Sequence, residues 1–294
     1  MPIFFRPVGG LGNQLFTYAA GRALADSHRQ TLVADLSNLE QDTKKRFELS
    51  DFASRIDAFV SLPPQEVGTL GPKDLPVREV RERGASFDPQ ISNAEDGTLI
   101  LGYLQSWKYF HTIRSSLREE IREIAEPSLW FLEKRKELSA GPPWAAITVR
   151  RGDYLTTPGM GIVGNHYYNR AIDLLKNLHG QQRFLVFSDS PDEAKKVPAL
   201  ANLPESCFVE PPISASSAEV MVLQSLASHM ILSNSTFAWW SGWLGDREDR
   251  TVIFPYPWGN FDSVNDRDRQ LPNWIGVGRD SVDEALHTPA LFRE

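Results

Sequence analysis

The sequence predicts an α/β fold with mainly parallel, doubly wound sheets, and three observations support this. Apolar runs of strand length alternate with runs of helical spacing over most of the 294 residues. A glycine-rich loop, residues 9–12, joins the first strand to the first helix. Small hydroxyl-bearing or charged side chains follow several strands directly. Such alternation is typical of parallel sheets that crossover helices cover on both faces.

The N-terminal part begins with a strand–loop–helix–strand unit. Residues 3–8 have the pattern of a strand, residues 13–28 carry apolar side chains at helical spacing, and residues 31–35 return as a strand. Later, residues 98–103 predict a strand and residues 111–125 an amphipathic helix. Residues 41–90 are polar and broken by prolines, so no element is assigned there, and we expect acceptor choice to reside in that segment.

The second half shows the most regular alternation. Gly141-Pro142-Pro143 interrupts the chain near its middle and predicts a boundary between domains of residues 1–140 and 141–294, with the last residues packing back on the first domain. Strands are predicted at residues 144–149, 184–187, 207–209, 230–232 and 252–254. Helices are predicted at residues 165–178, 217–227 and 237–244, with another beginning at Ser190.

Composition excludes several classes of protein. The 31 Lys and Arg residues against 38 Asp and Glu give a formal net charge of -7, which argues against a nucleic-acid binder. The single Cys207 excludes an internal disulfide framework. No signal peptide is evident, so we expect a cytoplasmic protein, with loose membrane association left open. Residues 220–245 lack formal charges, but their many polar side chains favour a buried passage over a membrane span.

Ligands of doubly wound sheets bind beyond the carboxyl ends of the strands, so the residues there are the candidates. Gly10, Gly12, Asn13 and Gln14 follow the first strand at a helix N-terminus, an arrangement that favours a polar substrate such as a sugar. The alternative is a nicotinamide or flavin site with Asp35, at the end of the next strand, as the acidic ribose ligand. The dinucleotide fingerprint lacks its third glycine, however, because position 15 is leucine.

Two adjacent arginines, Arg150 and Arg151, follow the strand at residues 144–149 and favour a phosphate ligand. The alternative is a structural Arg–Asp pair at a domain interface. Asp153 could orient an arginine or accept a proton. Asp189 follows the next strand and is a candidate for a ribose hydroxyl or a purine N–H, or else a helix N-terminal acid.

The segment Ser233-Asn234-Ser235-Thr236-Phe237 begins a helix after another strand and predicts a phosphate cradle, with ordinary helix capping as the alternative. Trp239, Trp240 and Trp243 could stack on sugars, although packing of helix against sheet is expected for at least two of them. Asp266 and Asp268 resemble an acidic pair that holds a divalent metal, but the pattern is short and does not follow a strand. We therefore predict no metal site.

These segments together resemble the α-1,2-fucosyltransferases of glycosyltransferase family 11. The matching blocks occur in order along the chain, and five of them lie at predicted strand ends. They are residues 9–16, 18–21, 102–106, 108–110, 149–154, 167–168, 171–172, 187–189, 233–237, 239–240 and 243–244.

The resemblance implies a GT-B-like architecture, in which two Rossmann-like domains, acceptor-side and GDP-fucose-binding, face a central cleft. It implies transfer of L-fucose from GDP-fucose to the 2-hydroxyl of a terminal galactose, with inversion and without a metal or other cofactor. The family arginine that holds the β-phosphate corresponds to Arg150, and Thr148 stands where the family motif has histidine. The alternatives are a related sugar-nucleotide transferase with another acceptor and a glycan-binding protein on an inactive scaffold.

Within that resemblance, each candidate residue has an expected part. Arg150, helped by hydroxyl donors of Ser235 and Thr236, would stabilise the charge on the departing GDP. Asp153 is one candidate for the base, and Asn13 would position the acceptor hydroxyl or the fucose.

Overall fold

The computed structural model describes residues 1–36, 46–52, 78–156, 161–259 and 266–279. The chain divides into two compact units. The first comprises Met1–Glu126 and Arg267–Arg269, and the second comprises Pro127–Asp266 and Gln270–Glu294. This division comes earlier than the predicted 140/141 boundary because a helix at Leu129–Ala140 packs within the second unit.

The first unit is built on a four-stranded parallel sheet in the order β2-β1-β4-β3. Its strands are β1 (Ile3–Phe5), β2 (Leu32–Ala34), β3 (Arg78–Arg81) and β4 (Thr98–Leu101). Its helices are α1 (Leu11–His28), α2 (Pro89–Ser92) and α3 (Arg114–Arg122). Two 3-10 helices, Glu48–Asp51 and Trp107–Ile113, lie against α1. The carboxyl ends of β1 and β4 are neighbours, because Phe5 pairs with Ile100.

The second unit contains a six-stranded sheet that is parallel throughout. Its strands are β5 (Ala145–Val149), β6 (Phe184–Ser188), β7 (Phe208–Val209), β8 (His229–Ile231), β9 (Val252–Tyr256) and β10 (Ile275–Gly278). The helices are α4 (Leu129–Ala140), α5 (Asn165–His179), α6 (Pro191–Lys195), α7 (Ser217–Ser225) and α8 (Thr236–Leu244). The strand order β10-β9-β8-β5-β6-β7 is that of dinucleotide-binding folds and reverses between β5 and β8.

Apolar side chains from both faces of this sheet form the core of the second unit. All five residues of β5 are buried, as expected for a central parallel strand. Trp239, Trp240 and Trp243 on α8 are at most 2% exposed and pack on one another and on Trp274. All three therefore have the packing role, and none of them offers its face to a sugar.

The predicted fold class agrees with the two parallel α/β sheets. The uncharged residues 220–245 do not form one long helix but most of α7, then β8 and α8. Among the described helices, none combines the length and the apolarity that crossing a membrane would require. The helix expected over residues 111–125 is shorter, since the chain first makes the 3-10 helix at Trp107–Ile113. Most of the segment at residues 41–90, and the last residues of the chain, lie outside the described ranges.

Candidate active site

A cavity of about 320 Å³ opens at the carboxyl ends of β5 to β8 in the second unit. The reversal of strand order between β5 and β8 leaves a crevice there, because the helices on either side diverge. Three groups of residues line the cavity: strand ends with the segments that follow them, residues of α7, and the start of α8. They are Thr148, Val149, Arg150, Phe187, Ser188, Asp189, Val209, Pro211, Ala215, Ser216, Ser217, Val220, Gln224, Ser233, Ser235, Phe237 and Ala238.

Arg150 is the cation of this cavity's lining. Its guanidinium is held by two carboxylates: Nη2 lies 2.6 Å from Asp153 Oδ1, and Nη1 lies 3.0 Å from Asp189 Oδ2. The guanidinium also lies over the ring of Tyr154, with 5.2 Å between Cζ and the ring centroid. Its buried Nε has no hydrogen-bond acceptor among the described residues. Arg150 is thus oriented at the cavity with a donor still unsatisfied.

Asp189, predicted as a nucleoside ligand, holds the loop after β5. Besides the ion pair with Arg150, its Oδ1 accepts a hydrogen bond from the backbone N–H of Arg151 at 2.9 Å. Gly152 allows this approach, because a Cβ at that position would overlap the Asp189 carboxylate. Asp189 also lines the cavity, so its carboxylate borders the ligand space while it fixes the arginine.

Arg151 differs from its neighbour, since its side chain turns into the protein and is 6% exposed. Nη1 donates to the carbonyl of Arg150 at 3.0 Å, and Nη2 donates to the carbonyl of Val163 at 3.1 Å. Arg151 is absent from the cavity lining. These bonds give Arg151 a role in holding the loop, so Arg150 is the arginine that faces the cavity.

Thr148 and Ser233 join the ends of β5 and β8 at the base of the cavity. Thr148 Oγ1 accepts a hydrogen bond from the backbone N–H of Ser233 at 2.7 Å, and the two hydroxyl oxygens are 3.3 Å apart. The Tyr168 hydroxyl donates to the Thr148 carbonyl at 3.0 Å. Burial raises the pKa of Tyr168, so this hydroxyl stays protonated. Threonine, at the position where the resemblance expects histidine, therefore ties the two strand ends together.

The N-terminus of α8 borders the same cavity. Ser235 is the N-cap residue, yet its side chain makes no capping hydrogen bond, which leaves the hydroxyl available to a ligand. Phe237 lines the cavity and Thr236 is partly exposed in the first turn. Asn234 instead donates from Nδ2 to the carbonyl of Gly161 at 2.8 Å, which ties the β8–α8 turn to a neighbouring loop.

In the first unit, the glycine loop precedes α1 at the carboxyl end of β1. Gly9 has a φ of 64°, and a side chain at this position would contact Asn13. Gly10 is exposed and is the N-cap residue of α1, whereas Gly12 is buried in the first turn. Asn13 Oδ1 accepts a hydrogen bond from Gln105 Nε2 at 3.0 Å, and Gln105 Oε1 accepts from Arg269 Nη2 at 2.8 Å. The sequence blocks after β1 and β4 thus meet at their side chains.

Gln14 is fully buried and its amide serves the backbone. Nε2 donates to the carbonyls of Gly9 and Arg46 at 3.0 and 2.8 Å, and Oε1 accepts from the N–H of Glu48 at 2.9 Å. Both amide hydrogens are occupied, so Gln14 has no donor left for a substrate. It fixes the glycine loop against residues 46–48.

The carboxylates proposed for two alternative sites, a dinucleotide site and a metal site, form ion pairs in the structure. Asp35, the acid expected to hold a dinucleotide ribose, pairs with Arg6 at 2.6 Å. Asp268 is 7% exposed, pairs with Lys108 Nζ at 2.5 Å and accepts the N–H of Phe87. Across the described ranges, no group of three or more His, Cys, Asp or Glu side chains is placed to hold a metal ion.

The sequence reading missed the wall of the cavity that α7 and the end of β7 provide. Ser216 and Ser217 begin α7, and Pro211 follows β7. Gln224, two turns along α7, faces the cavity from deeper in the unit. The strand itself was predicted at residues 207–209, and the rule that ligands bind at the carboxyl ends of strands points to the segment after it, but none of the blocks of the family resemblance lies there.

The chain is similar to known proteins along most of its length. The model of "Glycosyl transferase family 11" matches residues 95–278, which is more than half of the chain. Two Escherichia coli proteins, the O-antigen biosynthesis glycosyltransferase WbnK and an alpha-1,2-colitosyltransferase, are each 28% identical over 92% of this chain and 98% and 97% of their own lengths. Galactoside alpha-(1,2)-fucosyltransferase 1 of Bos taurus is 23% identical over 93% of this chain and 75% of its own.

Among solved structures, fucosyltransferase NodZ from Bradyrhizobium has a TM-score of 0.50 and 17% identity over 82% of this chain and 92% of its own. This likeness in fold confirms the predicted GT-B-like class. The family match confirms the resemblance read from the sequence blocks. The chain belongs to glycosyl transferase family 11.

Proposed function

We propose that this glycosyltransferase moves L-fucose from GDP-fucose to the 2-hydroxyl of a terminal galactose, with inversion at the anomeric carbon. One observation carries the donor assignment: Arg150 lines the cavity at the β5–β8 crevice with a buried, unsatisfied Nε. Similarity to a galactoside alpha-(1,2)-fucosyltransferase, 23% identical to this chain, supports the acceptor and the linkage.

The cavity suits a nucleoside diphosphate. Arg150, the Ser235 hydroxyl and the N–H groups that begin α8 supply charge and hydrogen-bond donors for the diphosphate. Aliphatic side chains of Val209, Pro211 and Val220 line another part and suit the flat face of a base. Asp189 also lines the cavity and is our candidate for the ribose ligand.

The reaction is a direct displacement. The acceptor oxygen forms a bond to the anomeric carbon as the bond from that carbon to the β-phosphate oxygen breaks, and the electron pair leaves with GDP. Arg150 stabilises the negative charge that grows on the departing diphosphate, and it is already oriented by Asp189. The acceptor proton passes to a base, for which Asp153 remains our candidate. Asp153 is paired with Arg150 and must be released from it when phosphate takes its place.

The first unit offers a place for the acceptor sugar. The Asn13–Gln105 contact lies where the loops after β1 and β4 meet, at the carboxyl edge of that sheet. Tyr103, in the loop after β4, is 58% exposed, and a tyrosine ring can stack on the apolar face of a pyranose. This arrangement supports the expectation that residues of the first unit, Asn13 among them, position the acceptor.

A screen of donors and acceptors tests the proposal. The protein is incubated with GDP-fucose and lactose, GDP release is measured, and the product linkage is read by NMR. The colitose derivative of GDP is included because one relative is named a colitosyltransferase. We expect an α-1,2-linked fucoside that forms equally with and without chelator. A product with another linkage, or with another transferred sugar, would contradict the assignment. Binding of sugars without turnover would favour an inactive, glycan-binding scaffold.

Substitution of the arginine tests the site itself. Arg150→Ala should lower kcat by roughly 10²–10³, because a preorganised charge opposite the leaving group is lost. Arg150→Lys should recover little, since lysine lacks the two-point geometry. Arg135→Ala on the surface of α4 is the matched control and should leave turnover unchanged. Full activity of Arg150→Ala would show that another residue holds the donor.

A further inference from the structure

Gln224 is a buried amide that faces the candidate donor cavity and that the mechanism above does not use. It lies on α7, is 3% exposed and lines the cavity. Val220, one helical turn earlier, lines the cavity too, so the same face of α7 presents both side chains. An amide in this position needs a reason, because burial of polar groups costs free energy unless they are hydrogen-bonded.

Ser241 on α8 fixes the orientation of this amide. Ser241 is fully buried, and its hydroxyl donates to Gln224 Oε1 at 2.8 Å. Its other possible acceptor, the Phe237 carbonyl, is farther away at 3.2 Å. With the amide oxygen held towards α8, the NH2 group of Gln224 is left on the cavity side. The Gln224 side chain makes no other hydrogen bond within the described part of the chain.

The cavity-facing NH2 group calls for an acceptor on the ligand. The phosphates pair with Arg150 and Ser235, whereas the α7 wall places Gln224 next to aliphatic Val220. A base seated against that wall has only its polar edge to distinguish it from other bases. Guanine presents the acceptors O6 and N7 on one edge, whereas adenine presents an N6 amino group in place of O6. The NH2 group of Gln224 can therefore donate a hydrogen bond to O6 of guanine. In adenine it would face the N6 amino group, which is another donor.

We propose that Gln224, oriented by Ser241, donates a hydrogen bond to O6 of the guanine of the bound donor. This assignment rests on the proposed function, since it takes the donor to be a GDP-sugar. It makes Gln224 a residue that determines nucleotide specificity, and it makes Ser241, which touches no substrate, a positioning residue.

Calorimetric titration of the full chain with GDP and ADP tests the proposal. Gln224→Leu, of similar size but without the amide, should bind GDP about tenfold more weakly, because one hydrogen bond to O6 is lost, and it should not weaken the binding of ADP. The preference for GDP over ADP should fall by at least that factor. Ser241→Ala should produce a smaller loss, since the amide remains but is no longer oriented. Circular dichroism checks that each variant is folded.

A second measurement uses the unaltered protein, so it does not depend on the folding of any variant. The 2-aminopurine ribonucleoside diphosphate lacks O6 and should bind about tenfold more weakly than GDP. Equal affinity for the two nucleotides, or unchanged GDP binding by folded Gln224→Leu, overturns the role of Gln224 and leaves the proposed function intact. If Gln224→Leu binds GDP-fucose more weakly but binds GDP normally, the contact is with the sugar, and this result also overturns the role of Gln224. A wild-type protein that binds no GDP overturns both proposals.

Discussion

At the scale of single residues, Gly152 is the position where one methyl group tests the loop that holds Arg150. A Cβ at Gly152 would overlap the carboxylate of Asp189, which pairs with Arg150 and accepts the N–H of Arg151. Gly152→Ala should therefore displace Arg150 and lower kcat/KM for the donor by roughly ten- to a hundredfold. The crowding should also cost about 1–3 kcal/mol of stability. Steady-state kinetics and urea unfolding measure the two effects.

The control for this substitution is Gly84→Ala. Gly84 is an exposed glycine at which a Cβ meets no described atom within 4 Å. It should leave both kcat/KM and the unfolding midpoint unchanged. If Gly152→Ala retained full activity with the donor, the coupling from Gly152 through Asp189 to Arg150 would be refuted.

Sequence reasoning pointed to the loop after β5, which borders the cavity, but could not separate the two arginines on physical grounds. Both follow β5 directly, and only the turn of the backbone sends Arg151 inwards to two carbonyl oxygens. Gln14 is a similar case, since its position at a helix start is typical of a ligand-binding amide, yet residues 46–48 occupy its polar atoms. Such bonds join residues that are distant in sequence, so the local pattern does not reveal them.

At the scale of elements, the central strands were predictable and the marginal ones were not. The strands β5, β6, β8 and β9 form continuous apolar runs because helices cover both faces of their sheet. In β3 only Val80 is buried, and β10 is half glycine, so neither strand has a clear signal. The helix α4 buries only Phe131 and Leu138 and leaves Leu129 70% exposed, which blurs its periodicity.

The stacked histidines where α5 ends and β8 begins predict a dependence of stability on pH. The rings of His179 and His229 are 3.9 Å apart, and His229 Nδ1 accepts the N–H of Thr251 at 3.2 Å. Burial and the neighbouring His179 lower the pKa of His229 to about 4. The unfolded chain, with a pKa near 6.5, binds the proton more readily. Stability should therefore be lost as pH falls from about 6.5 to 4.

His229→Asn separates this contribution from the carboxylates that titrate in the same range. The asparagine oxygen can replace Nδ1 as the acceptor for Thr251 but takes up no proton. Urea unfolding at a series of pH values should show a shallower decline for the variant between pH 6.5 and 4. Parallel curves for the two proteins would mean that His229 does not contribute to the loss.

At the scale of the whole molecule, the net charge of -7 makes the placement of positive charge decisive. An anionic donor gains nothing from the overall field, so its affinity must come from local groups such as Arg150 and the start of α8. A neutral sugar acceptor is indifferent to that field. Arg150 and the other groups that we assign to the donor diphosphate belong to the second unit, so donor binding should stabilise that unit.

GDP should stabilise the second unit against heat. Seven of the eight tryptophans lie in that unit and only Trp107 in the first, so tryptophan fluorescence reports mainly on its unfolding. At a hundred times its Kd, a ligand adds about 2.7 kcal/mol, which corresponds to a rise in Tm of roughly 5–10 °C for a unit of this size. Arg150→Met at the same GDP concentration should lose most of that rise. A fluorescence transition that GDP leaves unmoved, or moves equally in the variant, would place the donor outside this cavity.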